Sequence, residues 1–239
     1  MNDLFTAERR SPQVRGCGAQ KVRFAVNHCA ALLGEKYHIT VRRKIEMQTN
    51  KFKYNVGVIH GRFQVLHNDH LKYLLAGKSL CGHLVIGITN PDPSLVKEEQ
   101  ADRHRSSDQA NPLTYFERYR LLRTALVEAG VEWTDFSIVP MPISMPGLYR
   151  HYVPLDAVFF LSIYDEWGRR KKRYFESLGL KVHVLWEVSH ERKGISGSEV
   201  RLRMMRGQSW ENAVPVSVAV LLREWGIPER LQKIKRKES

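Results

Sequence analysis

Long apolar runs, cysteine pairs and a signal peptide are all missing from this sequence, and each absence excludes a class of protein. The longest apolar run, Leu155–Ile163, is interrupted by a carboxylate and is far shorter than the ~20 residues of a membrane-spanning helix. The 3 cysteines, Cys17, Cys29 and Cys81, include no Cys-x-x-Cys pair, which predicts free thiols in a reducing compartment. Residues 1–18 lack the basic-then-apolar order of a signal peptide. We therefore expect a cytoplasmic protein that makes no membrane contact.

The composition excludes disordered and collagen-like chains. Of the 239 residues, 43% are apolar and 26% are charged, which is typical of a globular protein with a sizeable core. The net charge of +13 lies at the two ends: residues 1–53 carry 11 basic and 4 acidic side chains, residues 54–191 carry 16 of each, and residues 192–239 carry 11 and 5. Basic ends attract nucleic acids, anionic lipids and polyphosphate substrates alike. Charge alone therefore does not assign the partner, and it gives nucleic-acid binding little support.

Residues 1–53 and the rest of the chain show different patterns. The first segment is rich in arginine and contains one short apolar patch, so we predict a basic N-terminal extension, partly disordered, with one short helix around residues 25–34. From Tyr54 onward, short apolar strands alternate with amphipathic helices. The predicted strands are 54–60, 83–89, 136–140, 157–161 and 181–187, and the predicted helices are 70–78, 114–129 and 167–178.

This alternation predicts an α/β fold for residues 54–239: a Rossmann-like, doubly wound parallel sheet, followed by C-terminal helices over about residues 194–235. The helix at 114–129 carries its own start signal, because Thr114 and Glu117 have the spacing of a capping box. In doubly wound sheets, ligands bind beyond the carboxyl ends of the strands, where the strand order reverses. The loops that follow the strands are therefore the place to look for chemistry.

The segment Gly61–His70 leaves the first predicted strand and enters the first predicted helix. Glycine allows backbone amides to approach an oxyanion, and a helix N-terminus adds a partial positive charge, so this segment favours a phosphate. His67 and His70 are three residues apart, so both imidazoles face the same anion if the helix begins near Asn68. The alternative is a plain surface turn. A zinc site lacks a third ligand, and the sequence contains no Walker-type phosphate loop.

A second anion site is predicted near the start of a late helix, in residues 194–205. Either Ser196 or Ser198 caps this helix, and Arg201 follows in its first turns. Hydroxyl groups, unpaired backbone amides and a guanidinium at a positive helix end are suited to phosphate. Taken alone, the same pattern fits a capped surface helix equally well.

Taken together, the two segments resemble the nucleotidyltransferase superfamily that carries the His-x-Gly-His signature, and most of all the archaeal-type nicotinamide-nucleotide adenylyltransferases. The family motif Gly-Arg-Phe-Gln-Pro-x-His-x-Gly-His is matched by residues 61–70, with Val65 and Asp69 as departures. A motif like Asn-Pro-Phe-Thr-x-x-Glu-Arg is matched by residues 111–118, and one like Ile-Ser-Gly-Thr-x-Ile-Arg by residues 195–201. The resemblance covers about residues 54–235, in order and at family-like spacing.

The resemblance implies the transfer of a nucleoside monophosphate from a nucleoside triphosphate, with ATP favoured, to a phosphorylated acceptor such as nicotinamide mononucleotide. Pyrophosphate is released. His67, His70 and Arg201 are the implied catalytic residues. The implied nucleotide- and phosphate-binding residues are Gly61, Arg62, Phe63, Ser196, Gly197, Ser198 and Arg201. Mg²⁺ is the expected cofactor, held mainly by the phosphates of the nucleotide, with no protein metal ligand assigned. A homo-oligomer is compatible with this scheme.

Three residues are candidates for substrate specificity. Asp69 stands where the family glycine lets the nucleoside approach the backbone, which leaves both ATP and CTP open as donors. Tyr149 and Trp167 are expected near the acceptor and have rings suited to stacking, although aromatic residues more often fill a core. Two alternatives follow: a cytidylyltransferase acting on a phosphonate or phosphate alcohol in secondary metabolism, and a non-catalytic nucleotide- or RNA-binding module. The basic run Arg169–Arg173 fits phosphate or RNA binding, or a solvated helix face.

Overall fold

The structure, a computed structural model, describes residues 52–92, 107–189 and 194–238. The predicted N-terminal extension, residues 1–53, lies almost entirely outside these ranges, so the extension and its short helix stay predictions. None of the helices within the described ranges is long and apolar enough to cross a membrane.

Five parallel strands within the described residues form one sheet, as the alternating pattern predicts. They are β1 (Tyr54–Gly61), β2 (Cys81–Thr89), β3 (Phe136–Met141), β4 (Val158–Ile163) and β5 (Lys181–Glu187). Their order across the sheet is β3-β2-β1-β4-β5, and each neighbouring pair is parallel. The chain steps outward from β1 to β3 and then returns to the other side of β1 with β4. The strand order therefore reverses between β1 and β4, which makes the carboxyl end of β1 the expected ligand crevice.

Helices cover both faces of this sheet, so the predicted doubly wound α/β fold with C-terminal helices is confirmed. The helices are α1 (Asn68–Lys78), α2 (Tyr115–Glu128), α3 (Glu166–Ser177), α4 (Gly197–Met205), α5 (Val216–Glu224) and α6 (Ile227–Glu238). The first two connect strands on one side of β1, α3 connects β4 to β5, and the last three follow the sheet.

The sheet separates two apolar clusters, because successive side chains of a strand face opposite sides. On one face, Ile59 of β1 and Phe160 of β4 pack with residues of α1, α2, α4, α5 and α6. On the other face, Val58 and Phe159 of the same two strands pack with Phe175 of α3. Each face of β1 is therefore covered by its own set of helices, and the expected crevice is at the carboxyl end of β1.

Capping residues set the starts of the helices near the crevice. The Glu117 N–H donates to Thr114 Oγ1 at 3.1 Å, and the Thr114 N–H donates to Glu117 Oε2 at 2.8 Å, which completes the predicted capping box. The first helix begins at Asn68, before the start suggested by its apolar positions, because His67 acts as its N-cap. For α3, the Asp165 carboxylate accepts a hydrogen bond from the Gly168 N–H at 2.8 Å.

Candidate active site

The loop from Gly61 to His67, here called the crevice loop, leads from the centre of the sheet to α1. Phe63 has a φ of 52°, a conformation that is uncommon for a residue other than glycine, and its ring is buried. That ring lies so close to Gly61 that a β-carbon there would be 2.9 Å from Phe63 Cζ. Glycine is therefore required at position 61 by packing, and Phe63 offers a ligand its backbone rather than its ring.

The two predicted catalytic histidines lie together at the N-terminus of α1. Their rings are stacked, with centroids 3.7 Å apart, and the edge of the His70 ring meets Phe63 at 5.2 Å. His67 caps the helix: its Nδ1 accepts a hydrogen bond from the His70 N–H at 3.4 Å. An Nδ1 that accepts carries no proton, so a neutral His67 holds its proton on Nε2, where it can be donated to an oxyanion.

The N-terminus of α4 approaches the same crevice loop. Of the two candidate caps, Ser196 is the one used: its Oγ accepts from the Glu199 N–H at 3.2 Å. Gly197 lies against the loop backbone, and a β-carbon there would be 2.8 Å from the carbonyl oxygen of Gln64. Two helix N-termini, those of α1 and α4, therefore converge on one loop, and both bring partial positive charge and N–H groups to it.

Arg201 is buried at this junction, with 6% of its surface exposed. Its Nη1 donates to the carbonyl of Gln64 and its Nη2 donates to Ser198 Oγ at 3.1 Å. These contacts use two of the five N–H groups of the guanidinium. Burial, and then the neighbouring Arg62, lower the pKa of Arg201 to about 10. Arg201 thus fixes the crevice loop and still carries a positive charge at neutral pH.

A further arginine, Arg118 on α2, ties two strand ends together. Its side chain is 2% exposed. Its Nη1 donates to the carbonyls of Arg62 at 3.1 Å and Thr89 at 2.7 Å, and its Nη2 donates to that of Asn90 at 2.8 Å. The carboxyl ends of β1 and β2 are therefore held by one buried guanidinium. Arg118 was not among the site residues predicted from the sequence. The available signal was its place as the last residue of the motif at 111–118.

The segment before α2 holds the crevice loop by a reciprocal pair of hydrogen bonds. Gln64 Nε2 donates to the carbonyl of Leu113 at 2.8 Å, and the Leu113 N–H donates to Gln64 Oε1 at 2.9 Å. This segment is itself pinned by α6, where Arg230 contacts both carboxylate oxygens of Glu117, at 2.7 and 2.9 Å. The three motifs found in the sequence thus meet around one short loop.

The charge around the loop is positive. Within the described ranges, neither Arg118 nor Arg201 forms an ion pair with a carboxylate. Burial is the main cause that lowers the pKa of Arg118 to about 10; Tyr115 raises it in part, and Arg62 lowers it further. Fixed cations and helix N-termini arranged before a ligand arrives are suited to a polyanion, because they need no reorganisation when it binds.

Asp69 contacts the segment that precedes α4. Its carboxylate lies against Gly194, where a β-carbon would collide with the carboxylate group. Gly194 leads into the cap of α4, so Asp69 lies beside the path between α1 and α4. The departure from the family motif is therefore accommodated by a second glycine.

The structure does not bring both predicted acceptor aromatics to the crevice. Tyr149 is 1% exposed, its hydroxyl donates to the carbonyl of Ile143 at 2.6 Å, and its ring packs against Phe175. Its assignment to substrate stacking is wrong, because the ring is a core residue with its polar atom already bonded. Trp167 differs: it is 45% exposed in the first turn of α3, and Lys171 Nζ lies 5.0 Å from its ring centroid.

The basic run at 169–173 is largely engaged in surface ion pairs. Arg169 pairs with Glu187 at 2.8 Å, and Arg173 pairs with Glu166 at 2.7 Å. These contacts favour the interpretation as a solvated helix face over a binding site for RNA. No cluster of three or more His, Cys, Asp or Glu side chains suited to a metal ion occurs in the part of the chain that the structure describes.

Comparison with known proteins places these features in a family. The sequence profile of the cytidylyltransferase-like family matches residues 58–203. The phosphonoformate cytidylyltransferase of Streptomyces viridochromogenes is 48% identical over 176 residues, covering 74% of this chain and 95% of that protein. The nicotinamide-nucleotide adenylyltransferase of Thermococcus onnurineus is 30% identical over 179 residues, covering 74% of this chain and 87% of that protein.

Among solved structures, the bifunctional NMN adenylyltransferase/ADP ribose pyrophosphatase of Francisella tularensis is similar in fold, with a TM-score of 0.53 at 15% sequence identity. The match covers 74% of this chain and 52% of that chain, so the present chain spans about half the length of that protein.

Proposed function

Because the chain belongs to the cytidylyltransferase-like family of nucleotidyltransferases, we propose that it transfers a cytidylyl group from CTP to a small phosphonate such as phosphonoformate. The observation that carries this proposal is the 48% identity to a phosphonoformate cytidylyltransferase over 95% of that protein. The adenylyltransferase relatives, on whose motifs the ATP and nicotinamide mononucleotide expectation rests, are 30% identical or less.

The proposed reaction is a displacement at phosphorus. A phosphonate oxygen attacks the α-phosphorus of CTP and forms a phosphorus–oxygen bond. The bond between the α-phosphorus and the oxygen that bridges to the β-phosphorus breaks, and pyrophosphate leaves with that electron pair. Such a displacement needs alignment of the two anions and stabilisation of charge rather than a covalent intermediate on the protein.

The residues around the crevice loop supply both requirements. The N-termini of α1 and α4 offer N–H groups to the triphosphate, and Arg62 and Arg201 offer positive charge. The N–H groups of Arg201 that are not bonded to Gln64 and Ser198 remain for phosphate oxygens. His67 donates from Nε2, and His70, stacked on it, adds a second donor at the same helix end. Arg118 acts as a positioning residue, because it contacts the backbone that carries these groups.

We assign magnesium to the nucleotide rather than to the chain. The side chains gathered at the crevice loop are imidazoles, guanidiniums and hydroxyls, which do not suit a magnesium ion that prefers oxygen anions and retained waters. Phosphate oxygens of the triphosphate would hold the ion, and the ion would offset their charge.

Asp69 supports the choice of a pyrimidine donor. The family glycine leaves room for the nucleoside, whereas position 69 here carries a carboxylate, which lies beside Gly194. A pyrimidine is smaller than a purine, so a base site narrowed in this way favours CTP over ATP. The discrimination is then a difference between two transition-state affinities.

A pyrophosphate-release assay with CTP or ATP as donor and phosphonoformate or nicotinamide mononucleotide as acceptor tests the proposal. We expect release only for CTP with phosphonoformate, and an Arg201→Ala preparation made in parallel serves as the control for contaminating activity. Release with ATP and nicotinamide mononucleotide alone would instead support the adenylyltransferase assignment. A protein that binds a nucleotide and releases nothing with any pair would favour the non-catalytic alternative.

A further inference from the structure

A buried histidine that the proposed mechanism does not use lies near the carboxyl end of β1. His60 is the residue before Gly61 in β1, and it is 6% exposed. Neither of its ring nitrogens has a hydrogen-bond partner among the residues that the structure describes. His60 ends an apolar strand run, so the sequence pattern does not distinguish it from a strand residue without a role in binding.

Burying the His60 ring without hydrogen-bond partners destabilises the folded protein, so stability does not explain why a histidine stands here. Burial, and then the positive charge of Lys171, lower the pKa of His60 well below its usual value, so the ring is neutral at pH 7. A neutral imidazole still has one N–H donor and one acceptor nitrogen, and a buried polar group that stays unpaired loses the hydrogen bonds that water gave it. An apolar side chain of the same size would avoid this cost. A buried polar ring without partners at the carboxyl edge of the sheet is expected if a bound ligand completes its hydrogen bonds.

The position of His60 sets it apart from the crevice loop. Its side chain shares the sheet face of Val58, which is the face covered by α3, and its ring lies 5.1 Å from that of Phe175. On α3, Phe175, Lys171 and Trp167 are spaced at four residues and therefore form one stripe along the helix. The stripe runs from buried Phe175 beside His60 to exposed Trp167 at the helix N-terminus, next to the carboxyl end of β4.

We infer that His60 and Lys171 bind the anionic end of the acceptor, in the crevice between the carboxyl end of β1 and α3, with Trp167 at its rim. This inference rests on the proposed function. The phosphonate must reach the α-phosphorus above the crevice loop, so the opposite end of the acceptor, a carboxylate in phosphonoformate, meets His60 and Lys171. The imidazole N–H donates to one carboxylate oxygen and the ammonium neutralises the charge.

This assignment separates the two substrates across the sheet. The triphosphate lies over the helix N-termini of α1 and α4, on the face of Ile59, and the acceptor lies toward α3, on the face of Val58. The two anions then approach each other at the edge of β1, where Gly61 adds no side chain. A small dianionic acid needs N–H groups and positive charge at this place, whereas a nucleotide acceptor needs a larger aromatic surface.

Steady-state kinetics of His60→Phe test the subsite. Phenylalanine keeps the ring volume against Phe175 and removes both nitrogens, so we expect a melting temperature that is unchanged or raised. The KM for phosphonoformate is expected to rise at least ~10-fold, because the variant loses one hydrogen bond to a charged group. The KM for CTP is expected to stay unchanged. The matched control is His183→Phe, which removes a histidine bonded to Tyr54 at 3.0 Å and is expected to lower stability without changing the acceptor KM. An unchanged acceptor KM in His60→Phe, with an active wild-type enzyme, would overturn the inference.

A second pair of variants separates Lys171 from general positive charge. Lys171→Gln and Arg170→Gln each remove one cation from α3, and we expect only the first to raise the KM for phosphonoformate. An equal rise of the acceptor KM in both variants would show that the cations of α3 act by their summed electrostatic field. The assignment of Lys171 would then be wrong.

A binding measurement needs no turnover. With histidine labelled by ¹³C, the Cε1–H resonance of His60 is identified by its absence in His60→Phe, and phosphonoformate is added together with α,β-methylene-CTP. We expect the His60 resonance to move and that of His183 to stay; an unmoved His60 resonance with an acceptor that the enzyme uses would overturn the subsite.

If the assay identifies a different acceptor, the proposed function is wrong, and the same NMR and KM measurements with that acceptor decide the role of His60 separately.

Discussion

The carboxylate of Asp69 lies against the α-carbon of Gly194 and occupies the volume that a β-carbon at Gly194 would need. Through this contact, the first turn of α1 meets the segment that leads into α4. Asp69 therefore links the N-terminus of α1 to the segment before α4, and Gly197 links the N-terminus of α4 to the Gln64 carbonyl of the crevice loop. The choice of donor is expected to depend on the first contact, and the binding of phosphate on the second.

Asp69→Gly tests the role of the first contact in donor choice. Removing the carboxylate opens the space beside Gly194, so we expect the ratio of kcat/KM for CTP to that for ATP to fall by ~10-fold or more. Asp69→Asn keeps the size of the side chain without its charge and is expected to retain most of the preference. If repulsion of phosphate is the real effect, both donors become faster by the same factor in both variants, and no change at all would place Asp69 outside the base site.

Gly197→Ala tests the second contact. A β-carbon there would lie 2.8 Å from the Gln64 carbonyl, so α4 must move away from the crevice loop. We expect a loss of about 1–3 kcal/mol in the free energy of unfolding, measured by denaturant titration, and a large decrease in kcat. The matched control is Gly147→Ala, where no atom lies within 4 Å of the new carbon, and its stability and rate are expected to match those of the wild type. A Gly197→Ala protein with normal rates would contradict the convergence of the two helix ends.

The two histidines are expected to differ in what their loss costs. His70→Ala is expected to lower kcat by ~10²–10⁴-fold without changing stability, because it removes a donor to the transition state. His67→Ala removes a donor and also the N-cap of α1, so a further loss of about 0.5–2 kcal/mol in unfolding free energy is expected. Melting curves and single-turnover rates of both variants provide the comparison. Equal stability of the two variants would contradict the capping role of His67.

Arg118→Ala is expected to weaken the fold and the site together. Its guanidinium contacts the carbonyls of Arg62, Thr89 and Asn90, which lose their donor in the variant. We expect a loss of about 2–4 kcal/mol in unfolding free energy and a higher KM for the nucleotide, since the ends of β1 and β2 are no longer held. Arg120→Ala, on the exposed side of the same helix, is the control and is expected to lose at most about 1 kcal/mol. Similar losses in the two variants would refute the special role of Arg118.

The sheet and its flanking helices were predictable from the sequence because their apolar periodicity is strong. The prediction of β5 agrees with the structure at both ends, and Thr114 starts α2 as its capping box requires. The order of the motifs along the chain also identified the crevice loop and the N-terminus of α4. What the pattern did not decide is which of Ser196 and Ser198 caps α4, since both residues have the right chemistry and only the backbone conformation distinguishes them.

The remaining features depend on contacts between distant parts of the chain. Tyr149 has the sequence signal of an acceptor aromatic, yet a core aromatic has the same signal, and only packing against Phe175 separates the two. Arg118 looks like any basic residue of an amphipathic helix until the strand ends reach it. His60 looks like part of a strand, and its unpaired nitrogens become visible only when its neighbours are in place. The roles of the individual site residues stay predictions until the variants are measured.

A competition between donors and acceptors in one reaction tests whether the protein joins CTP to a phosphonate. The enzyme is given equimolar CTP and ATP together with equimolar phosphonoformate and nicotinamide mononucleotide, with magnesium present, and the products are identified by ³¹P NMR and mass spectrometry. Competing substrates partition by their kcat/KM values, so the product ratio reports specificity without separate kinetics. We predict the cytidylyl ester of phosphonoformate as the main product. Nicotinamide adenine dinucleotide as the main product would contradict cytidylyl transfer to a phosphonate.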